Sequence, residues 1–78
     1  MSEQKIKQDE IRIGENIRQA RREKGLGQTE LVRLLQLRGI PITRESLVKI
    51  ERGIQHIQAS QLRAIKEELG CTYEQLFK

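Results

Sequence analysis

A single short helix is predicted by the stretch Thr43-Arg44-Glu45-Ser46-Leu47-Val48-Lys49-Ile50-Glu51-Arg52-Gly53. Threonine often caps the start of a helix, and glycine often follows its end. Leu47 and Ile50 are three residues apart, so they share one side of this helix. The other side carries mostly long polar side chains, namely Arg44, Glu45, Val48, Lys49 and Arg52. The pattern is typical of a helix presented to a partner, and also of an ordinary solvated surface helix.

The composition indicates one small helical domain. The chain has 78 residues, of which 3% are aromatic and one is proline, while Leu, Ile, Glu, Gln, Lys and Arg are abundant. Its one cysteine, Cys71, cannot form an internal disulfide and is interpreted as a small core residue. No signal peptide and no apolar run of transmembrane length are found, so a cytoplasmic location is expected.

The net charge of +4 is unevenly distributed along the chain. Residues 58–78 are neutral, and the excess of basic residues lies in residues 1–57, which include the stretch quoted above. A mild positive excess is compatible with a polyanionic partner such as DNA but does not establish one.

The first ten residues differ in character from the rest. Residues 1–10 are polar and lack periodicity, so a flexible N-terminal tail is expected there, followed by one domain over residues 11–78. Lys5 and Lys7 leave open a tail that reaches along DNA.

Apolar residues at helical spacing, interrupted by glycines, predict five helices and an all-α fold class. Pro41 prevents the second and third helices from running together. Either Gln58 or Ser60 is expected to cap the fourth helix, and Thr72 with Gln75 resembles a capping box for the fifth. The first helix is expected to begin at residues 9–11 and to end at residue 24. The expected bounds of the second, third and fourth helices are 28–38, 44–52 and 58–69, and the fifth helix is expected to begin at residue 72.

Four further apolar side chains are not assigned to the regularly spaced apolar sides of these helices. Ile54 and Ile57, in the linker after the third helix, are expected in the core in preference to an exposed patch for a partner. Tyr73 and Phe77 either close the core or contribute, with the fourth and fifth helices, to a dimer contact.

Two charged residues fall where burial is expected. Arg21 comes four residues after Ile17, and Glu51 comes four residues after Leu47, so each lies at the edge of an apolar stripe. Because a buried charge needs a partner, we predict that Arg21 and Glu51 pair and connect the first helix to the third. An arginine–carboxylate pair of this kind can be bidentate.

Five segments of the chain form a recognisable series, namely Ile13–Arg18, Arg22–Leu26, Gln28–Leu31, Leu47–Gly53 and Leu69–Phe77. In this order they resemble the Cro/CI-type helix-turn-helix family of phage and bacterial repressors, the XRE family. The resemblance implies a compact five-helix, lambda-repressor-like domain, with residues 28–38 as the scaffold helix and 44–52 as the recognition helix in the major groove. It also places the family's buried ion pair on Arg21 and Glu51, and its phosphate-contacting glutamine on Gln28.

The chain departs from the family pattern between the second and third helices. Val32 replaces a residue that is usually small, and about five extra residues lie between Leu35 and Ile42. These changes predict a second helix longer by one turn and a loop over residues 39–42, which leave the docking angle open. Gly27 stands where the family usually has serine, and the proline common before the fourth helix is absent.

The chemistry of the third helix suggests roles on DNA. Arg44 suits the O6 and N7 atoms of guanine, and Val48 suits a thymine methyl group. Glu45 either accepts from cytosine N4 or complements the helix dipole, and Lys49 contacts a second base or a phosphate. The residues expected to contact the DNA backbone are Gln28, Thr43, Ser46 and Arg52.

The resemblance, together with this chemistry, implies a sequence-specific DNA-binding transcriptional regulator, which is expected to be a repressor that binds a pseudo-palindromic operator as a homodimer. No cofactor, metal, membrane or small-molecule effector is expected. An enzyme is not indicated, because the only histidine, His56, lies in a linker without a triad or metal cluster. The alternative function is a protein-interaction module on the same fold, such as an antitoxin or anti-repressor.

Overall fold

The computed structural model describes residues 5–6 and 12–78. Within them the chain forms five helices and a two-residue antiparallel ladder, so the predicted all-α fold class is confirmed. The elements are β1 (Lys5–Ile6), α1 (Ile13–Glu23), α2 (Gln28–Leu37), α3 (Arg44–Glu51), β2 (Ile57–Gln58), α4 (Ala59–Leu69) and α5 (Tyr73–Phe77).

The first four helices end in the same hydrogen-bonded arrangement around a glycine. At the end of α2, for example, the Gly39 N–H donates to the Gln36 carbonyl at 2.9 Å, and the Ile40 N–H donates to the Leu35 carbonyl at 3.0 Å. This is the Schellman motif, which needs a left-handed residue that glycine supplies at little steric cost. The helix ends predicted at the glycines are therefore confirmed, with positive φ at Gly25, Gly39, Gly53 and Gly70.

Side-chain caps begin the third and fifth helices. The Thr43 hydroxyl accepts from the Ser46 N–H at 3.1 Å at the start of α3. At the start of α5, the Thr72 hydroxyl accepts from the Gln75 N–H at 3.1 Å, and the Gln75 side chain accepts from the Thr72 N–H at 2.8 Å. The predicted capping box is confirmed, and both helix starts are fixed by local sequence.

The fourth helix begins directly after the short ladder. Gln58 is its N-cap residue, and the Gln58 N–H donates to the Gln61 side chain at 2.9 Å, which decides between the two predicted caps. In the ladder, Lys5 lies opposite Gln58 and Ile6 opposite Ile57. Lys5–Ile6 fall in the segment expected to be a flexible tail, but they are paired in the structure. The remaining residues of that predicted tail, Lys7 included, lie outside the described residues.

The core is apolar and draws on all five helices. Within α2, Leu34 is half-buried, whereas Val32 is buried. The prediction that both isoleucines of the linker after α3 lie in the core is confirmed for Ile57, which is fully buried. It is wrong for Ile54, which is 62% exposed. The buried apolar residues are Ile13, Ile17, Leu31, Val32, Leu35, Ile42, Leu47, Ile50, Ile57, Leu62, Ala64, Ile65, Leu69 and Leu76.

Cys71 is half-buried and packs against this core, in agreement with its predicted structural role. Burial raises the pKa of the Cys71 thiol, because it disfavours the charged thiolate. A thiol in this state is a weak nucleophile at neutral pH.

Side-chain contacts hold the C-terminal end of α2 and the loop that follows it. Arg38, which follows the helix, donates from Nε to Glu68 at 2.6 Å, and its Nη1 lies 3.6 Å from the Glu67 carboxylate on α4. The Gln36 side chain donates to the Ile42 carbonyl at 2.9 Å, and the Ile42 side chain is buried in the core. The end of α2 therefore contacts α4 through Arg38, and the loop that leads to α3 is held through Ile42.

Candidate nucleic-acid interface

Helix α3 has a buried side and an exposed side. Leu47, Ile50 and Glu51 are buried, and Val48 is half-buried at the boundary. The residues on the exposed side are Arg44, Glu45, Lys49 and Arg52. Three of these four are basic, so the helix presents a mainly positive, hydrogen-bonding surface.

Two of the predicted base-contacting residues contact each other. The Lys49 ammonium lies 3.2 Å from the Glu45 carboxylate, one turn earlier on α3. Exposed pairs at this spacing contribute only about 0.3–0.5 kcal/mol, so a ligand can displace either partner at little cost.

The two predicted hydroxyl contacts also have partners within the protein. Thr43 caps α3, as described above, and the half-buried Ser46 hydroxyl accepts from the Gln55 side chain at 3.3 Å. A hydroxyl that accepts one hydrogen bond still has a proton to donate. Both groups lie at the start of α3, where their donors remain chemically suited to a phosphate oxygen.

A buried ion pair connects α1 to α3. Arg21 donates from Nε and Nη2 to the two Glu51 carboxylate oxygens at 2.8 and 2.9 Å, and from Nη1 to the Leu26 carbonyl at 2.8 Å. This is the bidentate pair that the helical spacing predicts. The hydrogen bonds that Arg21 donates to Glu51 raise the pKa of Arg21 despite the opposing effect of burial, so the guanidinium stays charged.

Gln28 extends this ion pair to the start of α2. Its side-chain amide donates to Glu51 Oε1 at 3.1 Å, so one carboxylate receives hydrogen bonds from both α1 and α2. The amide nitrogen carries a second N–H, which is not needed for this bond. Sequence reasoning missed the contact between Gln28 and Glu51, because the spacing of residues within one helix gives no information about which side chains of other helices lie nearby.

A shallow depression lies where α1, α2 and α3 meet. Arg18 of α1 lines it together with Gln28, Val48 and Arg52, and two carboxylates, Glu15 and Glu51, complete the lining. Sequence reasoning did not assign Arg18 a role. The sequence did contain an indication that Arg18 lies near α3. Arg18 comes three residues before Arg21, which points toward α3, and residues three apart share a helix side.

Neither a metal-binding cluster nor a membrane-spanning helix is found among the described residues. Among residues 12–78, no three His, Cys, Asp or Glu side chains are grouped so that they could hold a metal ion. No helix in the part of the chain that the structure describes has the length and apolar character needed to cross a bilayer.

Comparison with protein families gives a match over most of the chain. The model of a helix-turn-helix domain family matches residues 14–78, which span α1 to α5. This family is of the Cro-type, or XRE, helix-turn-helix kind. Comparisons with curated proteins and with solved structures found no significant match. Because the family model covers well over half of the sequence, the chain belongs to the helix-turn-helix domain family.

Proposed function

We propose that the protein is a sequence-specific DNA-binding transcriptional regulator that inserts α3 into the major groove. The observation that supports this most strongly is the arrangement of α3: its outer side is exposed and mainly basic, while the Arg21–Glu51 pair fixes its inner side to α1. Rigid placement of a polar helix is what base readout requires, because hydrogen-bonding groups must match base edges in position.

In this proposal, Arg44 at the start of α3 binds the O6 and N7 atoms of a guanine. Val48 contacts a thymine methyl group, and Lys49 and Glu45 exchange their mutual ion pair for contacts with bases. Backbone phosphates are bound by groups around the helix, namely Gln28, Thr43, Ser46 and Arg52.

We further propose that the protein acts in the cytoplasm as a repressor and binds DNA as a homodimer. The molecule measures 29 × 27 × 21 Å, which suits one half-site of an operator whose half-sites lie about 34 Å apart. Tyr73 and Phe77 are partly exposed and stacked with ring centroids 6.0 Å apart. They are the proposed dimer contact, together with the linker that carries exposed Ile54.

Selection of binding sites from random double-stranded DNA, at low and moderate salt, tests this proposal. We expect an enriched motif with inverted symmetry and half-sites separated by about one helical turn. The logarithm of the affinity should fall with the logarithm of the salt concentration, with a slope of about −0.9 for each phosphate contacted. Arg44→Ala should relax one base position and weaken the selected site by about 1–3 kcal/mol.

Exposed apolar residues favour the second candidate, a protein-interaction module such as an antitoxin or anti-repressor. Leu37 is 80% exposed and Ile54 is 62% exposed, and both lie on the surface without a covering element among the described residues. The same selection experiment separates the two functions. Failure to enrich any motif, or an affinity that barely responds to salt, would contradict DNA-directed regulation and favour a protein partner.

A further inference from the structure

The depression between α1, α2 and α3 contains two arginines that have no carboxylate partner within the part of the chain that the structure describes. Among residues 12–78, no salt bridge includes Arg18 or Arg52, whereas Arg12, Arg21, Arg38, Lys49 and Arg63 each pair with a glutamate. Both unpaired side chains line the depression beside the Gln28 amide. The local arrangement therefore offers two guanidinium groups and an amide on one small surface.

The two glutamates that line the same depression oppose this charge only weakly. Glu51 is buried and receives two hydrogen bonds from Arg21 and a third from Gln28. Glu15 is exposed and lies 3.5 Å from the Arg12 guanidinium. With both carboxylates compensated, the positive charge of Arg18 and Arg52 remains available to an anion from outside.

We infer that Arg18 is a further DNA-backbone contact, and that Arg18, Gln28 and Arg52 together hold one phosphate group in this depression. The inference rests on the proposed DNA-binding function and extends the interface to α1. Two guanidinium groups can donate several hydrogen bonds to phosphate oxygens, and the start of α2 adds its partial positive charge. The half-buried Val48 lies in the same depression, so the bound phosphate flanks the groove into which α3 inserts.

The Arg21–Glu51 pair also affects how Arg18 and Arg52 are placed relative to each other. Arg21 fixes the orientation of α1 relative to α3, and Arg18 lies one turn earlier on α1. The ion pair therefore connects the backbone segments that carry Arg18 and Arg52, which suits recognition of a phosphate at a defined position.

The test compares Arg18→Gln with Arg63→Gln on the selected operator and on scrambled DNA. Each substitution removes one exposed positive charge, but Arg63 lies on α4 and lines a different part of the surface. We expect Arg18→Gln to weaken binding to both DNAs by roughly three- to tenfold and to reduce the salt slope by about 0.9 for each bound chain. Arg63→Gln should leave the slope unchanged.

Arg18→Lys keeps the positive charge at this position and removes only the guanidinium group. It should keep most of the salt slope, because lysine also binds phosphate as a point charge. Equal weakening by Arg18→Gln and Arg63→Gln would overturn the inference, because net charge alone would then explain both. An altered base preference with an unchanged salt slope would also overturn it. If the unsubstituted chain shows no salt-dependent DNA binding, the proposed function itself fails, which this comparison detects before any variant is considered.

Discussion

Arg21 has all three of its guanidinium nitrogens engaged within the protein. Two of them bind Glu51 and the third binds the Leu26 carbonyl, while both side chains are almost completely buried. The desolvation of two charges offsets much of their attraction, so the pair need not add a large net stability. Its main energetic consequence is that neither partner can be removed alone without leaving an uncompensated buried charge.

We therefore expect Arg21→Met to lower the free energy of unfolding by about 3 kcal/mol. The double variant with Glu51→Leu should lose less than the sum of the two single variants, because it leaves no stranded charge. Urea denaturation at 25 °C followed by circular dichroism measures all four proteins of the cycle. Additive losses would show that the two side chains contribute independently.

At the residue scale, the sequence predicts a contact between two side chains only where a charged residue falls among apolar positions and so needs a partner. Arg21 and Glu51 could be paired in advance because each is a charge on an apolar stripe. Arg38 follows α2 and the half-buried Glu68 lies on α4, and neither falls on an apolar stripe where a charge would stand out, so nothing in the spacing indicated their 2.6 Å contact. The fully buried Ile57 and the exposed Ile54 are likewise indistinguishable by residue type.

At the scale of the helices, the ends are set by short stretches of sequence. In a Schellman motif the residue after the glycine usually packs back on the helix. Leu26, Ile40 and Cys71 do so against the core, but Ile54 at the end of α3 does not. The helix stops could be predicted because glycine and its neighbours suffice to form them. The β1–β2 ladder could not be predicted, because two residues per strand carry no detectable alternation.

Substitution of one of these glycines has a defined conformational cost. At Gly39, φ is +84° and an added Cβ would meet no atom within 4 Å, so Gly39→Ala introduces backbone strain without a clash. We expect it to lower the free energy of unfolding by about 1 kcal/mol, and Gly39→Asn to lower it less.

Gly27→Ala is the matched control for Gly39→Ala. Gly27 has φ of −79°, and its added Cβ would lie 3.3 Å from the end of the flexible Glu30 side chain. Because Gly27 is the N-cap residue of α2, where alanine is less favourable than glycine, this variant should lose about 0.5 kcal/mol in urea denaturation, without left-handed strain. Similar losses at Gly27 and Gly39 would argue that the cost arises from the added methyl group and not from the left-handed backbone.

For the whole molecule, the proposed interface belongs to no single helix. Arg18, Gln28 and the exposed side of α3 come from three helices, and their relative positions depend on the core and on the α1–α3 ion pair. The fold class and the approximate bounds of α3 were predictable from periodicity and the glycines. The inclusion of α1 was not, because it depends on how the helices pack.

The ion pair also has a consequence for the rates of folding and unfolding. Arg21 and Glu51 are 30 residues apart, whereas each helix-ending glycine acts within six residues. Contacts between distant residues require closure of the intervening chain, so the pair is expected to form after the folding transition state. In stopped-flow experiments, Arg21→Met should then speed unfolding and leave the folding rate nearly unchanged. A pair that forms this late slows unfolding, so the folded state persists longer once it has been reached.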